Sequence, residues 1–197
     1  MKVYDHRKIY RHVYKAKGQI EIIEVPNLQF IVAEGIGARD VYEMHTGEAL
    51  WSISRVTNRL KDMTKTQMGY KFTLMPLEII WERLDQDEWS WRSMMQVPEI
   101  ITEEMFQHSL IELEKRKRNI KVPLKLVAQP ECTSVQGIHL GPYSSIPETI
   151  EMLESFCKVN GYTIQGHFRE IYINQPFCNP PEKLQTILRA EVLNNRR

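Results

Sequence analysis

Between Gly166 and Arg189 the chain reads GHFREIYINQPFCNPPEKLQTILR, which opens on an apolar and aromatic strand with a carboxylate, Glu170, set inside it. Side chains alternate along a strand, so Phe168, Glu170 and Tyr172 share one side while Arg169, Ile171 and Ile173 share the other. Such a segment buries at least one face, and a carboxylate on a buried face needs a partner. Two kinds of partner suit it: a ligand, or a cation such as Arg169, Arg189 or another strand residue. An earlier segment, MPLEIIWERL from Met75, repeats the theme with Glu78 ahead of Trp81. Two acidic strands in two halves predict an internal duplication.

The rest of the chain supplies those halves. Leu28 to Ile36 reads as a strand closed by Gly35-Ile36-Gly37. Ala49 or Leu50, Ile53, Val56 and Leu60 keep helical spacing and predict a helix over about 47–61. Phe72 to Trp81 and Trp89 to Met95 follow as antiparallel strands joined by the charged loop Asp85-Gln86-Asp87. A connector helix over about 102–118 has Thr102 as N-cap and Glu103 and Glu104 at its positive end. Beyond it, Ser134 to Gly141 is a strand, and Ser145-Ile146-Pro147-Glu148 reads as a capping box with proline at the helix start. Ile150, Leu153, Phe156 and Cys157 form that helix's apolar stripe, Asn160-Gly161 ends it, and strands over 162–174 and 185–193 follow. The order β-α-β-β occurs twice, with Glu78 and Glu170 on equivalent strands. The expected organisation is a polar arm over 1–24, a single domain over 25–193 with halves of about 25–98 and 130–193, and a tail over 194–197.

With 197 residues, 42% hydrophobic and 26% charged, the chain carries enough apolar side chains for a core. Lysine and arginine number 26 against 25 acidic residues, so no overall field attracts nucleic acid or a membrane surface. The opening MKVYDHRKIYRHVYKAKGQ is too polar for a signal peptide, and no apolar run approaches a membrane span, which predicts a cytoplasmic protein. Cys132, Cys157 and Cys178 are odd in number and lack metal-type spacing, and the histidines are scattered, so neither metal nor cofactor is expected. Gly35-Ile36-Gly37 lacks the third glycine of a phosphate loop. Lys115 to Arg118 is the one basic run, placed at the negative end of the connector helix.

The segment Arg169-Glu170-Ile171-Tyr172-Ile173, with Pro176, Pro180 to Leu184 and Thr186 to Arg189, resembles the C-terminal signature of the GyrI-like small-molecule-binding domain family. The resemblance extends through PLEIIW, WSWRSMMQVPEIITEEMF from Trp89 and GIHLGPYSSIPETIEMLESF from Gly137. It implies an α+β fold: two pseudo-symmetric β-α-β-β units forming a curved antiparallel sheet, with helices on one face and a ligand groove at the junction. It also implies a stand-alone xenobiotic-binding protein similar to the cyclopropanoid cyclopropyl hydrolases, which open strained DNA-alkylating compounds in an aromatic cage. The chain departs from the family pattern at Phe168, between His167 and Arg169, and at Ile79-Ile80 ahead of Trp81.

On this reading Glu170 stands in the groove, paired with a planar aromatic or cationic small molecule, or orienting a water for general-base attack. Trp89 and Trp91 project from one strand face, and with Trp81, Phe168 and Tyr172 they are candidate cage walls or core residues. Alternation sets Glu78 and Trp81 on opposite faces, so at most one of them lines the groove unless a bulge intervenes at Pro76. Tyr143 is a candidate proton donor to a ligand oxygen, with Tyr70 as its alternative, and His139 a candidate ligand contact or a satisfied strand histidine. A rival reading is a protein-interaction module that docks through a strand edge or the groove rim. Monomer and homodimer both remain open.

Overall fold

The two acidic strands lie side by side at the centre of an eight-stranded antiparallel sheet. In the computed structural model, which describes residues 3–16, 18–118 and 120–195, the first elements are β1 (Val3–Tyr4), α1 (His6–Ile9), α2 (Arg11–Tyr14), β2 (Glu21–Val25) and β3 (Leu28–Gly37). Next come α3 (Val41–Thr46), α4 (Glu48–Met68), β4 (Lys71–Phe72), β5 (Leu77–Arg83), β6 (Trp89–Val97) and α5 (Glu103–Lys115). The chain closes with β7 (Leu124–Gln129), β8 (Cys132–Leu140), α6 (Ile146–Asn160), β9 (Tyr162–Tyr172) and β10 (Gln185–Asn194). The last two positions of the expected tail, 196 and 197, lie outside the described residues.

Strand order in the sheet is β2-β8-β10-β9-β5-β6-β3-β7. Reading outward from the β9–β5 seam, β10, β8 and β2 on one side mirror β6, β3 and β7 on the other, which is the duplication expected from the two acidic segments. The sheet nevertheless has two strands that the β-α-β-β reading omits, β2 and β7. Both are edge strands with one neighbour and few buried residues, so their apolar signal is weak. They are also exchanged. β2 runs into β3 through Pro26-Asn27 but pairs with β8, while β7 runs into β8 through Pro130-Glu131 but pairs with β3.

Cross-strand partners share a face, so the register sorts the side chains. Ile79, Glu170, Leu188, Ser93, Ala33 and Gly137 form one row, and Leu153 of α6 lies 3.3 Å from where a Cβ on Gly137 would stand, so α6 covers this face. Ile53, Val56 and Leu60 of α4 are fully buried on the same side. The opposite face carries Glu78, Arg169, Arg189 and Gln136, and here the N-terminal arm docks: Val13 and Tyr14 are buried, and Gln136 Nε2 donates to the His12 carbonyl at 2.8 Å.

Several local expectations change. Met63 and Thr64 continue the buried face of α4, so the helix runs seven residues past Lys61 to Met68, where Gly69 at φ +63° ends it. Pro76 interrupts the expected strand over 72–81: β4 pairs in parallel with β1, and β5 starts at Leu77. β3 ends at Gly37, inside the expected closing segment, and Gly35 still belongs to its ladder. Gly35 lies opposite Trp91, and a Cβ there would fall 2.3 Å from the indole ring, so the glycine is what lets Trp91 lie flat across the strand. The capping box does not form, because a 3-10 turn over Tyr143–Ser145 leads directly into α6 and the Ser145 hydroxyl donates to the Pro142 carbonyl at 3.0 Å instead.

Candidate functional site

Glu170 is 3% exposed on the helix-covered face of β9, and both its oxygens are engaged. The Arg39 guanidinium donates from Nη2 to Oε1 at 2.6 Å, and the Tyr172 hydroxyl, two residues along the same face, donates to Oε2 at 2.7 Å. Trp81 Nε1 in turn lies 3.5 Å from the Tyr172 hydroxyl. Burial, followed by the neighbouring Glu170 charge, raises the Tyr172 pKa well above its ordinary value, so the phenol stays a donor at neutral pH. An ionised carboxylate offers about four acceptor positions, so two protein donors leave room for a water or a ligand group.

A groove of about 380 Å³ opens above this carboxylate. Its floor and walls are Glu170, Phe168, Trp81, Trp89 and Arg39, and its far side is Ile146, Pro147 and Ile150 at the start of α6. The Arg39 guanidinium carbon is 5.6 Å from the Trp81 ring centre and 5.8 Å from that of Trp89, within cation–π range of both. Arg39 is the residue that strand patterning does not find. It sits between β3 and α3, and the one local signal is Asp40 beside it, which caps α3 by accepting from the Glu43 amide at 2.9 Å and so fixes the turn that carries Arg39.

The remaining candidates lie elsewhere. Glu78 is fully buried on the opposite face, because its cross-strand partner is Ile171 rather than Glu170. It accepts from the Tyr14 hydroxyl at 2.8 Å and from Arg169 Nη1 at 2.9 Å. Arg169 also bonds Gln129, and Arg189 bonds Gln136 and the Val13 carbonyl, so neither strand arginine partners Glu170. Tyr70 stacks on Tyr4 with ring centres 4.0 Å apart, its hydroxyl 3.3 Å from His6 Nε2, away from the groove. Tyr143 packs edge-on against Tyr172 at 5.4 Å with its hydroxyl buried, and burial, with lesser contributions from Tyr42 and Glu170, pushes its pKa up to about 12. His139 is held by Thr149 Oγ1 at 2.8 Å and the Pro142 carbonyl at 3.0 Å. Trp91 shares a face with Trp89 but lies over Gly35, lining a separate hollow with Glu34 and Arg92. Among the described residues no group of three or more histidine, cysteine or acidic side chains could hold a metal ion, and no helix is long and apolar enough to cross a membrane.

The duplicated α+β sheet that carries this groove has the GyrI-like fold. The chain belongs to the same family as a hydrolase from Listeria innocua, with which it shares 30% sequence identity at a TM-score of 0.85, covering 96% of this chain and 99% of that one. An uncharacterized conserved protein from Listeria innocua is 29% identical at a TM-score of 0.86, again over 96% and 99% of the two chains. The C-terminal domain of EcmrR shares the fold at 14% identity and a TM-score of 0.55, covering 89% of this chain and 98% of that domain. No family model matches the sequence, and no curated protein does.

Proposed function

We propose that this protein binds planar aromatic small molecules in the groove above Glu170 and hydrolyses those that carry a strained electrophilic carbon. The observation that carries the reading is the Glu170 carboxylate, fixed by Arg39 and Tyr172 at the floor of a groove walled by Trp81, Trp89 and Phe168. Aromatic walls favour a flat ligand and exclude water from around it. The fixed acceptor then orients a water beside the ligand, supplying proximity and general-base assistance. The family tie to a protein described as a hydrolase supports turnover over storage.

For a cyclopropane fused to a dienone, the water oxygen bonds to a ring carbon as the ring C–C bond breaks. That electron pair flows into the conjugated ring to give a phenolate, and the water proton passes by way of Glu170 to the phenolate oxygen, leaving a phenol and an alcohol. The test is incubation of the purified protein with such a compound, followed by chromatography for the ring-opened alcohol. Ring opening by the wild-type protein that falls at least about a hundredfold in Glu170→Gln, with binding retained, supports the reading. Tight binding with the compound returned unchanged reduces the function to binding alone, and no binding of any planar compound overturns it.

A further inference from the structure

The groove already contains a cation. Proteins recognise organic cations with a carboxylate and aromatic faces disposed around one point. Glu170, Trp81 and Trp89 are so disposed, and the point they surround is occupied by the Arg39 guanidinium, 2.6 Å from the carboxylate and within 6 Å of both ring centres. Arg39 does not reach there at random. β3 ends at Gly37, the Asp40 amide donates to the Ala38 carbonyl at 3.0 Å, and the Asp40 side chain caps α3, so the backbone on both sides of Arg39 is held.

We propose that Arg39 is the specificity determinant of the groove: it fills the cation subsite from within, excludes organic monocations, and reserves the groove for uncharged planar molecules bearing a hydrogen-bond acceptor. The inference rests on the small-molecule reading above and names the charge class of its ligand. Two physical arguments support it. A tethered guanidinium competes with any free cation at an effective concentration on the order of millimolar, so an incoming cation must displace a competitor that never diffuses away. The pair also cancels in charge, so the groove floor offers an incoming cation no net attraction and places a guanidinium in its path; the other carboxylate of the lining, Glu154, is exposed, and solvent and salt screen its pull. The Arg83 guanidinium carbon lies 6.0 Å from the Trp89 ring centre and adds positive charge behind that wall.

A neutral ligand meets the opposite situation. A guanidinium has five N–H donors, and Arg39 commits one to Glu170. Its side chain is 23% exposed, and it lines the groove, so further donors are available to a ligand carbonyl. Arg39 then does what sequence reasoning expects of a tyrosine: it supplies the donor opposite the carboxylate.

The experiment compares two probes of one tricyclic shape, N-methylacridinium, a permanent monocation, and acridone, a neutral molecule with a carbonyl acceptor. Each is titrated by fluorescence into the full-length wild-type protein and into Arg39→Gln, Arg39→Lys and Arg39→Gln/Glu170→Gln, with melting curves to confirm folding. Wild-type protein binds acridone more tightly than N-methylacridinium. Arg39→Gln tightens N-methylacridinium by at least about tenfold and weakens acridone several-fold, whereas Arg39→Lys keeps the wild-type order because it keeps the charge. The double variant loses the gain, since the carboxylate that receives the cation is gone. Wild-type protein that binds N-methylacridinium as tightly as Arg39→Gln does overturns the proposal while leaving the small-molecule reading intact. A set of folded variants that bind neither probe overturns both.

Discussion

The two faces of the sheet carry the same chemical triad in two settings. On the helix-covered face Glu170 accepts from Arg39 and Tyr172, and on the opposite face Glu78 accepts from Arg169 and Tyr14. The carboxylates sit on adjacent central strands, one register step apart. What differs is the origin of the arginine and what lies above it. Arg169 comes from the sheet itself and its side chain is 14% exposed; the docked arm covers Glu78, and the hollow of about 410 Å³ beside Arg169 has no tryptophan, tyrosine or phenylalanine in its lining. Arg39 comes from a turn, its side chain is 23% exposed, and the space above it is a groove walled by indoles. A Glu–Arg–Tyr cluster is therefore no mark of function by its own chemistry. The carboxylate that itself lines an aromatic groove is the site, and the one buried beneath the arm is a fastening.

The contrast can be broken most forcefully at the sealed cluster. Glu78→Ala strands a buried guanidinium and is expected to lower the unfolding free energy by about 3–5 kcal/mol in urea titrations, whereas Glu170→Ala costs about 1–2 kcal/mol because Arg39 can turn to water. Equal losses would show that both clusters are structural. Next in size is the catalytic arm of the comparison: Glu170→Gln cuts ring opening at least about a hundredfold, equivalent to about 2.7 kcal/mol of transition-state stabilisation. The aromatic walls come third. Trp89→Ala raises the Kd of a planar ligand about tenfold, while Trp91→Ala leaves it within about twofold and instead lowers the melting temperature, because Trp91 packs on Gly35 outside the groove.

The smallest effect is on pH dependence, where each face contributes a histidine shifted by burial, His6 beside Gln96 and the half-buried His45 against Tyr172. Burial lowers both pKa values in the folded state from the ordinary 6.5. Between that value and the lowered one the unfolded chain binds more protons than the folded one, so stability is full above pH 6.5 and declines as the pH falls below it. Either His6→Gln or His45→Gln should flatten that decline in melting temperatures measured from pH 7.5 to 5. An unchanged slope in both variants would assign the acid sensitivity to other groups.

Much of the frame was legible in the sequence because it depends on local periodicity. The α4 and α6 stripes, the alternation that sets Glu170 with Phe168 and Tyr172, and the Thr102 cap of α5 are all written within a few residues. The parts that escaped depend on neighbours distant in sequence. Edge strands β2 and β7 bury too little to stand out, and the face shared by Glu170 and Trp81, but not Glu78, is set by the β5–β9 register. Arg39 belongs to a turn, where no periodicity says which way a side chain points, and its partner lies 131 residues away. Tyr143 is a candidate through the resemblance over GIHLGPYSS and Tyr70 through its residue type, and neither signal carries information about distance.

The exchanged edge strands have a consequence for synthesis of the chain. β2 is made early, but its partner residues begin at Cys132, so Val25 and Ile22 have no ladder to join until more than half of the protein has been translated. At about 5–20 residues per second that interval is on the order of ten seconds, far longer than a hairpin needs to form. During that time β3 likewise lacks β7 on its outer side. The nascent chain thus holds two unpaired edges in waiting, and the growing protein is most exposed to wrong pairing while its first half stands complete in length and incomplete in structure.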